Sequence, residues 1–278
     1  MGRLDNKVAV VTGCGRGFGE AIAKLFSREG ASISISDIIP VQKLKGDVGS
    51  KIEEDNGRVL CSSIDVSNEK QVDSMVKETI NKFGTIDILV NNVGITGPIK
   101  DCWDITFDEW NQTMSVNLGG TFLCTKAVLP GMIRKKNGRI INISSVTGKN
   151  PLPYRTPYAT SKMGIIGFTR TLATEVGKHN ITVNAICPGN PGGERNVEIL
   201  REMAKHQHES FDVDECRKMF QEQRRKGVLA GGFLAKEGFS QALITHEDVA
   251  YMALFLASDE AARITGQDIN VCGGMIMW

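Results

Sequence analysis

The stretch VTGCGRGFGEAIAKLF, Val11 to Phe26, sets four glycines in one short turn and runs from there straight into an amphipathic helix. Glycine loses more backbone freedom on folding than any other residue, so this density implies that something must approach a bare backbone. The residues before the turn, KVAVVTG, are a short β-branched apolar run suited to a buried strand. Those after it put Ala21, Ile22, Leu25 and Phe26 on a helical period that Gly30 stops. A glycine turn between strand and helix is a phosphate-binding feature, because the helix N-terminus offers free N–H groups and the positive end of its dipole. The spacing is T-G-x-x-x-G-x-G through Thr12, Gly13, Gly17 and Gly19. A G-x-G-x-x-G pattern fails, since its third glycine would fall on Phe18 or Glu20, and no Gly-Lys-Ser/Thr follows for a Walker loop.

Working outward, strands alternate with helices. ASISISD, RVLCSSIDVSN, IDILVNNVG, RIINISS, ITVNAICPG and DINVCGG read as further strands. NEKQVDSMVKETINKFG, the long run FDEWNQTMSVNLGGTFLCTKAVLPGMIRKKNG, and PYATSKMGIIGFTRTLATEVGKHN read as helices. This order predicts βαβ units, and so an α/β Rossmann-type doubly wound parallel sheet of about seven strands with helices on both faces. No internal repeat, low-complexity tract or linker interrupts it, so residues 1–278 are expected to form a single dinucleotide-binding and catalytic domain.

Composition excludes several classes. A net charge of +1 gives no field for nucleic acid or an anionic membrane. No run of apolar residues is long enough to suggest a membrane span, and the N-terminus has no signal-peptide pattern. The seven cysteines contain no Cys-x-x-Cys pair, which predicts reduced, mostly buried thiols in a cytoplasmic protein and no metal site.

Candidate chemistry follows from three places. Asp37 ends the second predicted strand, where a carboxylate can accept hydrogen bonds from the ribose hydroxyls of NAD and repel the 2′-phosphate of NADP. Arg16 in the turn argues the other way, but Ile38, not a basic residue, follows Asp37. Tyr158 and Lys162, four apart on a helix, share one face. An ammonium held near a phenol favours the phenolate, so such a tyrosine can give or take a proton near neutral pH. Ser145, at the end of RIINISS, can present a hydroxyl to a substrate oxygen. Each feature has a bland reading: a turn-capping aspartate, a solvated helix face, a serine turn.

Together these residues make the chain resemble the single-domain short-chain dehydrogenases/reductases over nearly its whole length. The likeness rests on TGCGRGFG, Asp37, Asp65-Val66, NNVG at Asn91 to Gly94, SVNLGG, INISSVTG, YATSK, NAICPG and SDEAARITGQDINVCGG. The resemblance implies a tetrad of Asn117, Ser145, Tyr158 and Lys162. Tyr158 would exchange the proton with the substrate oxygen and Ser145 would hold that oxygen. Lys162 would bind the nicotinamide ribose and lower the Tyr158 pKa, and Asn117 would anchor a water of the proton relay. It also implies cofactor contacts from Thr12, Gly13, Arg16, Gly17, Phe18 and Gly19, with Asp65 and Val66 at the adenine. Asn91 would support the central sheet, Gly94 would leave room for the ribose, and Pro188, Gly189 and Asn190 would lie beside the nicotinamide. A homotetramer or homodimer is expected, with Phe122, Val128, Ile165 and Phe168 serving core and interface and Trp278 packed at a contact.

The chain departs from the family pattern at Gly193, where threonine is frequent, at Val93, where alanine is usual, at Cys272, where aspartate is common, and at FSQALITHEDVA, which lacks the usual PLGR lead-in. Residues 192–240 are long for the substrate loop. Two amphipathic helices are expected there as a lid, with Val197, Leu200 and Ala204 on one apolar face and Val213, Cys216 and Phe220 on the other. His206, His208, Arg195, Arg201, Arg224 and Arg225 fall in this segment. The arginines could clamp an anionic small-molecule substrate or simply form a solvated face. The expected activity is hydride transfer between NAD and a secondary alcohol or ketone, with a polyol or sugar as first choice and a 3-oxoacyl thioester as the alternative. A non-catalytic NAD-binding regulator is the alternative of another class. An intact proton-donor set argues against it.

Overall fold

The computed structural model describes residues 2–226 and 243–276. Its seven strands are β1 (Val8–Thr12), β2 (Ser32–Asp37), β3 (Val59–Ser63), β4 (Ile88–Asn91), β5 (Gly138–Ile143), β6 (Ile181–Pro188) and β7 (Asp268–Val271). They form one sheet in the order β3-β2-β1-β4-β5-β6-β7, and every neighbouring pair is parallel. This is the Rossmann-type doubly wound sheet that the sequence predicts.

The helices are α1 (Phe18–Arg28), α2 (Val41–Leu44), α3 (Ser50–Glu54), α4 (Glu69–Phe83), α5 (Phe107–Met114), α6 (Gly120–Lys135), α7 (Val146–Lys149), α8 (Thr156–Val176), α9 (Glu194–His206), α10 (Val213–Lys226) and α11 (His246–Ala257). The two-residue period of β1 divides them between the faces of the sheet. Ala9 and Val11 pack with Ile22, Ala23 and Phe26 of α1 and with Val249, Ala253 and Leu254 of α11. Val10 points the other way, onto Val72 and Met75 of α4, Val128 and Met132 of α6, and Leu172 and Val176 of α8. Both faces are covered, which is why the strands read as continuous apolar runs. Each large side chain removed from water in this way contributes about 1.5–3 kcal/mol.

The run expected as one long helix is two, α5 and α6, joined by a π turn over Ser115–Gly119 that holds the buried Asn117. Single π turns within helices recur at functional sites. By length and composition alone Phe107–Lys135 could cross a membrane, but Cys124, Val128 and Met132 bury its apolar side against the sheet. Helix α11 is hard to read from periodicity because most of it is apolar, packed beside α1 on the same face of the sheet. Its start is fixed by a capping box between Thr245 and Asp248.

Beyond β6, α9 and α10 are the two amphipathic helices expected there. Val197 and Cys216 form a small core with Leu200, Phe211, Val213 and Leu243. Residues 227–240 of the expected lid, the side chain of Phe220 and Trp278 lie outside the described residues. Val128 and Ile165 are 3% and 1% exposed and belong to the interior. Phe122, 48% exposed, meets Phe168 edge-on at 6.4 Å on the outer surface of α6 and α8.

Candidate active site

Because β1 pairs with β2 on one side and β4 on the other, the order of the strands reverses at β1. In open parallel sheets ligands bind at that reversal, beyond the carboxyl ends of the strands. Strand ends singled out in the sequence lie there. Thr12 ends β1, Asp37 ends β2, Asp65 follows β3, Asn91 ends β4, Ser145 follows β5 and Pro188 ends β6.

The glycine turn is fastened from both neighbours. Gly13 and Cys14 donate to the Ser36 carbonyl at 2.7 and 3.1 Å. Thr12 Oγ1 donates to the Val90 carbonyl and accepts from the Asn92 amide at 3.1 Å. Asn92 Nδ2 donates to the carbonyls of Thr12 and Gly13 at 3.0 and 2.9 Å. Gly17 precedes α1 with φ +69°, a left-handed conformation, and no side chain caps the helix, so its first N–H groups stay available. A Cβ on Gly19 would lie 2.2 Å from the Gly13 carbonyl oxygen, so the turn closes on the helix only with glycine there. Arg16 is exposed, and Phe18 meets His246 edge-on at 5.2 Å.

Asp37 faces this turn. Its Oδ2 accepts from the Gly15 amide at 2.8 Å, and its Oδ1 accepts from Ile38 and Ile39 at 2.8 and 3.4 Å. The neighbouring Ile38 is 72% exposed and carries no charge. Asp65 Oδ1 accepts from the amide and hydroxyl of Ser67 at 2.9 and 2.7 Å, which shapes the loop at the buried Val66. Asn91 Nδ2 donates to Thr125 Oγ1 at 3.0 Å and to Asn142 Oδ1 at 2.9 Å. Asn142 Nδ2 in turn reaches Thr169 Oγ1 at 2.9 Å. This chain ties β4 and β5 to α6 and α8.

Asn117 clamps the backbone after β4. Its Oδ1 accepts from the Ile95 amide at 2.8 Å, and its Nδ2 donates to the Ile95 carbonyl at 3.1 Å and to Ser161 Oγ at 3.0 Å. The side chain is therefore fully engaged with protein, while its carbonyl, inside the π turn, accepts from Thr121 Oγ1 at 2.8 Å. A Cβ on Gly94 would stand 3.2 Å from Lys162 Nζ, so glycine keeps that space clear.

Ser145 caps the short helix α7, accepting from the Thr147 amide at 3.1 Å. Helix α7 meets α8 so closely that a Cβ on Gly148 would lie 2.9 Å from the Lys162 backbone. That contact fixes Ser145 against Tyr158 and Lys162. Lys162 is 4% exposed, donates to the Ile143 carbonyl at 2.9 Å, and places its Nζ 5.8 Å from the centre of the Tyr158 ring. Burial pushes the Tyr158 phenol up, but the positive charges of Lys162, Arg155 and Arg195 and a hydrogen bond with Ser145 outweigh it and lower the pKa below the ordinary value. Burial, with Arg195 and Arg155, lowers that of Lys162, while Tyr158 opposes the shift. A phenol shifted this way gives and takes a proton more readily than an ordinary tyrosine.

On the far side, Gly189 donates to the Val271 carbonyl at 2.8 Å, prolonging the pairing of β6 and β7 beyond Pro188. Asn190 Oδ1 accepts from Gly192 at 2.8 Å, and its carbonyl accepts from Ile244 at 3.0 Å. Arg195 reaches back from α9 to Thr96 Oγ1 at 3.1 Å and to the Gly94 carbonyl. Of the other arginines in that segment, Arg201 pairs with Glu202 on the exposed side of α9, and the side chains of Arg224 and Arg225 lie outside the described residues. His206 stacks on Tyr154 at 5.0 Å and its Nε2 meets the Ile99 carbonyl at 2.7 Å, whereas His208 is exposed.

The sequence reading missed Arg155. Its guanidinium lies 4.1 Å from the centre of the Tyr158 ring, and it is 5% exposed. Its place three residues before Tyr158, one helical turn away, was the available signal. The cysteines are free, and Cys14, Cys124 and Cys187 are buried. Burial pushes the thiols of Cys124 and Cys187 up to about 12 and about 11, as expected of small core residues.

Comparison with known proteins agrees with this geometry. The family described as short chain dehydrogenase matches residues 7–203, and that described as Enoyl-(Acyl carrier protein) reductase matches residues 231–276. The 3-oxoacyl-[acyl-carrier-protein] reductase FabG of Thermotoga maritima is 35% identical, over 99% of this chain and 100% of its own. The (2S)-[(R)-hydroxy(phenyl)methyl]succinyl-CoA dehydrogenase subunit BbsD of Thauera aromatica is 36% identical, over 98% of this chain and 97% of its own. Among solved structures, NAD+-bound xylitol dehydrogenase superposes with a TM-score of 0.84 at 29% identity, covering 98% of this chain and 99% of that one. A sheet with its strand order reversing at a glycine turn, and a lysine-flanked tyrosine at the same edge, are accounted for together: the chain belongs to the short-chain dehydrogenase/reductase family, whose members are oxidoreductases that use a nicotinamide cofactor and act on hydroxyl or ketone groups.

Proposed function

We propose that this enzyme is an NAD-linked dehydrogenase or reductase that works on the hydroxyl or ketone at C3 of an acyl substrate. The observation that carries the chemistry is the Tyr158 phenol, its pKa lowered by Lys162 and Arg155, with Ser145 beside it. Tyr158 takes the hydroxyl proton in oxidation and returns it in reduction, Ser145 holds the substrate oxygen, and Lys162 keeps the phenolate accessible. Asn117 sets the backbone at Ile95 and, through its carbonyl, offers a place for a relay water.

The residues around the glycine turn fit the cofactor. Glycine at position 19 gives the close approach, the open N-terminus of α1 suits a pyrophosphate, and Gly94 leaves space beside Lys162 for a ribose. Thr12, Gly13, Arg16, Gly17 and Phe18 would line the pyrophosphate, Asp65 and Val66 the adenine, and Pro188, Gly189 and Asn190 the carboxamide end. When bound, the nicotinamide supplies the hydride acceptor or donor. Asp37, with uncharged Ile38 next to it, supports NAD over NADP.

The acyl reading draws on FabG and BbsD, whose names specify oxo- or hydroxyacyl substrates. The polyol reading that comes first from the sequence keeps one support, the likeness to xylitol dehydrogenase. Initial rates of NAD+ reduction with a 3-hydroxyacyl N-acetylcysteamine thioester, beside xylitol and sorbitol, separate the two. Faster turnover of the acyl compound supports the first reading, and faster turnover of the polyols supports the second. We further place the enzyme in the cytoplasm as one domain, with α9 and α10 walling the substrate side. Phe122 and Met163, both 48% exposed on α6 and α8, supply an apolar surface for a homodimer or homotetramer.

A further inference from the structure

Two arginines among the described residues are almost fully buried, and they differ in company. Arg139, 6% exposed, meets Asp259 at 3.4 Å and also bonds Asn137 and the Gly138 carbonyl, although its Nε, like that of Arg155, has no hydrogen-bond partner among the described residues. Arg155 has no carboxylate among the charges that bear on it, and its buried Nε has no hydrogen-bond partner among the described residues. A buried cation left so is costly, and such groups in native proteins are normally paired.

Its setting is also strained. Tyr154, just before it, has φ +64°, a left-handed conformation that a bulky side chain rarely adopts. The Lys100 amide holds it by donating to the Tyr154 carbonyl at 3.0 Å, and the ring stacks on His206 of α9. Strain of this kind persists where the surroundings over-determine it, and it gathers at binding sites. From the other wall comes Arg195, whose hydrogen bonds among the described residues go to the neutral Thr96 hydroxyl and Gly94 carbonyl. Arg155, Arg195 and Lys162 all act on Tyr158, and among the described residues the charges that bear on this group include no carboxylate. The pyrophosphate of a dinucleotide does not answer this excess, because its place is at the N-terminus of α1.

We infer that Arg155 and Arg195 form a subsite for an oxyanion group carried by the substrate, a carboxylate or its sulfonate or phosphonate equivalent, held beside the reacting carbinol. A guanidinium fork suits such a group because it can donate two parallel N–H bonds. The inference rests on the hydride exchange at Tyr158 proposed above and narrows the acyl substrate to one with a free acid group.

The test compares kcat/KM for 3-hydroxybutyrate, 2-hydroxypropane-1-sulfonate, 2-hydroxypropylphosphonate and the neutral 3-hydroxybutyramide, in the unmodified protein and in Arg155→Met, Arg155→Lys and Arg195→Ala. One of the acids should exceed the amide, and the arms identify which oxyanion is preferred. Arg155→Met should lower the acid-to-amide ratio by about 10- to 150-fold, as loss of a charge-assisted hydrogen bond does, with Arg155→Lys recovering part of it. Calorimetric binding of malonate to the NAD-loaded protein is the second readout and needs no turnover; it should be lost in Arg155→Met. Equal kcat/KM for acids and amide would overturn the inference. So would an Arg155→Met effect that shifts the pH profile of every substrate alike, which would make Arg155 only a charge beside Tyr158. An Arg195→Ala effect confined to the KM of NAD would overturn the part given to Arg195. If nothing in the series is turned over while the 3-hydroxyacyl thioester is, the reaction at Tyr158 stands and malonate binding decides the subsite; if the thioester is not turned over either, the proposed reaction fails. Should Arg155→Met not fold, Arg155→Lys and Arg155→Gln carry the same comparison.

Discussion

Lys162 Nζ stands 5.8 Å from the centre of the Tyr158 ring while bonded at 2.9 Å to the Ile143 carbonyl at the end of β5. The sheet itself thus holds the ammonium that acts on the phenol. The pH dependence follows in sign. Alcohol oxidation needs the phenolate, so kcat/KM for NAD+ reduction should fall as pH drops through the Tyr158 pKa. That limb should lie below the ordinary tyrosine value of about 10. Ketone reduction needs the phenol and should show the opposite limb. Lys162→Met should move both limbs upward, measured as kcat/KM against pH in each direction.

Tyr158→Phe should lower kcat by about 10²- to 10⁴-fold, the usual contribution of a general acid or base. The dissociation constant of NAD should stay nearly unchanged, because the hydroxyl carries the proton and not the cofactor. A parallel loss of NAD affinity, read by fluorescence titration, would count against the role assigned.

Asp37→Ala should reduce the preference for NAD over NADP, since it removes the carboxylate that faces Gly15 and repels a 2′-phosphate. Asp37→Ala combined with Ile38→Arg should reverse the preference. The ratio of kcat/KM values for the two cofactors is the readout, and equal values in the unmodified protein would contradict the assignment.

Gly19→Ala would put a methyl group 2.2 Å from the Gly13 carbonyl. Overpacking of this kind costs about 1–3 kcal/mol. The expected result is a lower Tm and a larger loss of NAD affinity than of folded yield, measured by thermal unfolding with and without NAD.

Phe122→Glu with Met163→Glu should reduce the solution mass, read by light scattering, because it charges the exposed apolar surface of α6 and α8. An unchanged mass would place the subunit contact elsewhere.

How far the sequence foretold this arrangement depends on the range of each signal. The strand-turn-helix at Val11 to Phe26 and the four-residue spacing of Tyr158 and Lys162 are local patterns, and both are found as read. The network from Asn91 through Asn142 to Thr169 joins residues far apart in the chain, and only the strand order brings them together. Helix α11 escaped because, after its polar first turn, Tyr251 is the one exposed side chain in a run of apolar residues, too little to mark a polar stripe. Arg155 escaped because its meaning lies in its burial and in the lack of a carboxylate beside it among the described residues, neither of which a one-dimensional pattern displays. The π turn at Asn117 is likewise a change of hydrogen-bond register that composition does not mark.

The central claim is that Tyr158, tuned by Lys162, exchanges a proton with a substrate whose carbinol gives its hydride to NAD. The most direct measurement is single-turnover NADH formation with a 3-hydroxyacyl substrate protiated or deuterated at C3, in the unmodified protein and in Tyr158→Phe. The account predicts slower NADH formation with the deuterated compound and near loss of the signal in the variant despite bound NAD. NADH formation in Tyr158→Phe at a rate close to the unmodified protein's would contradict it.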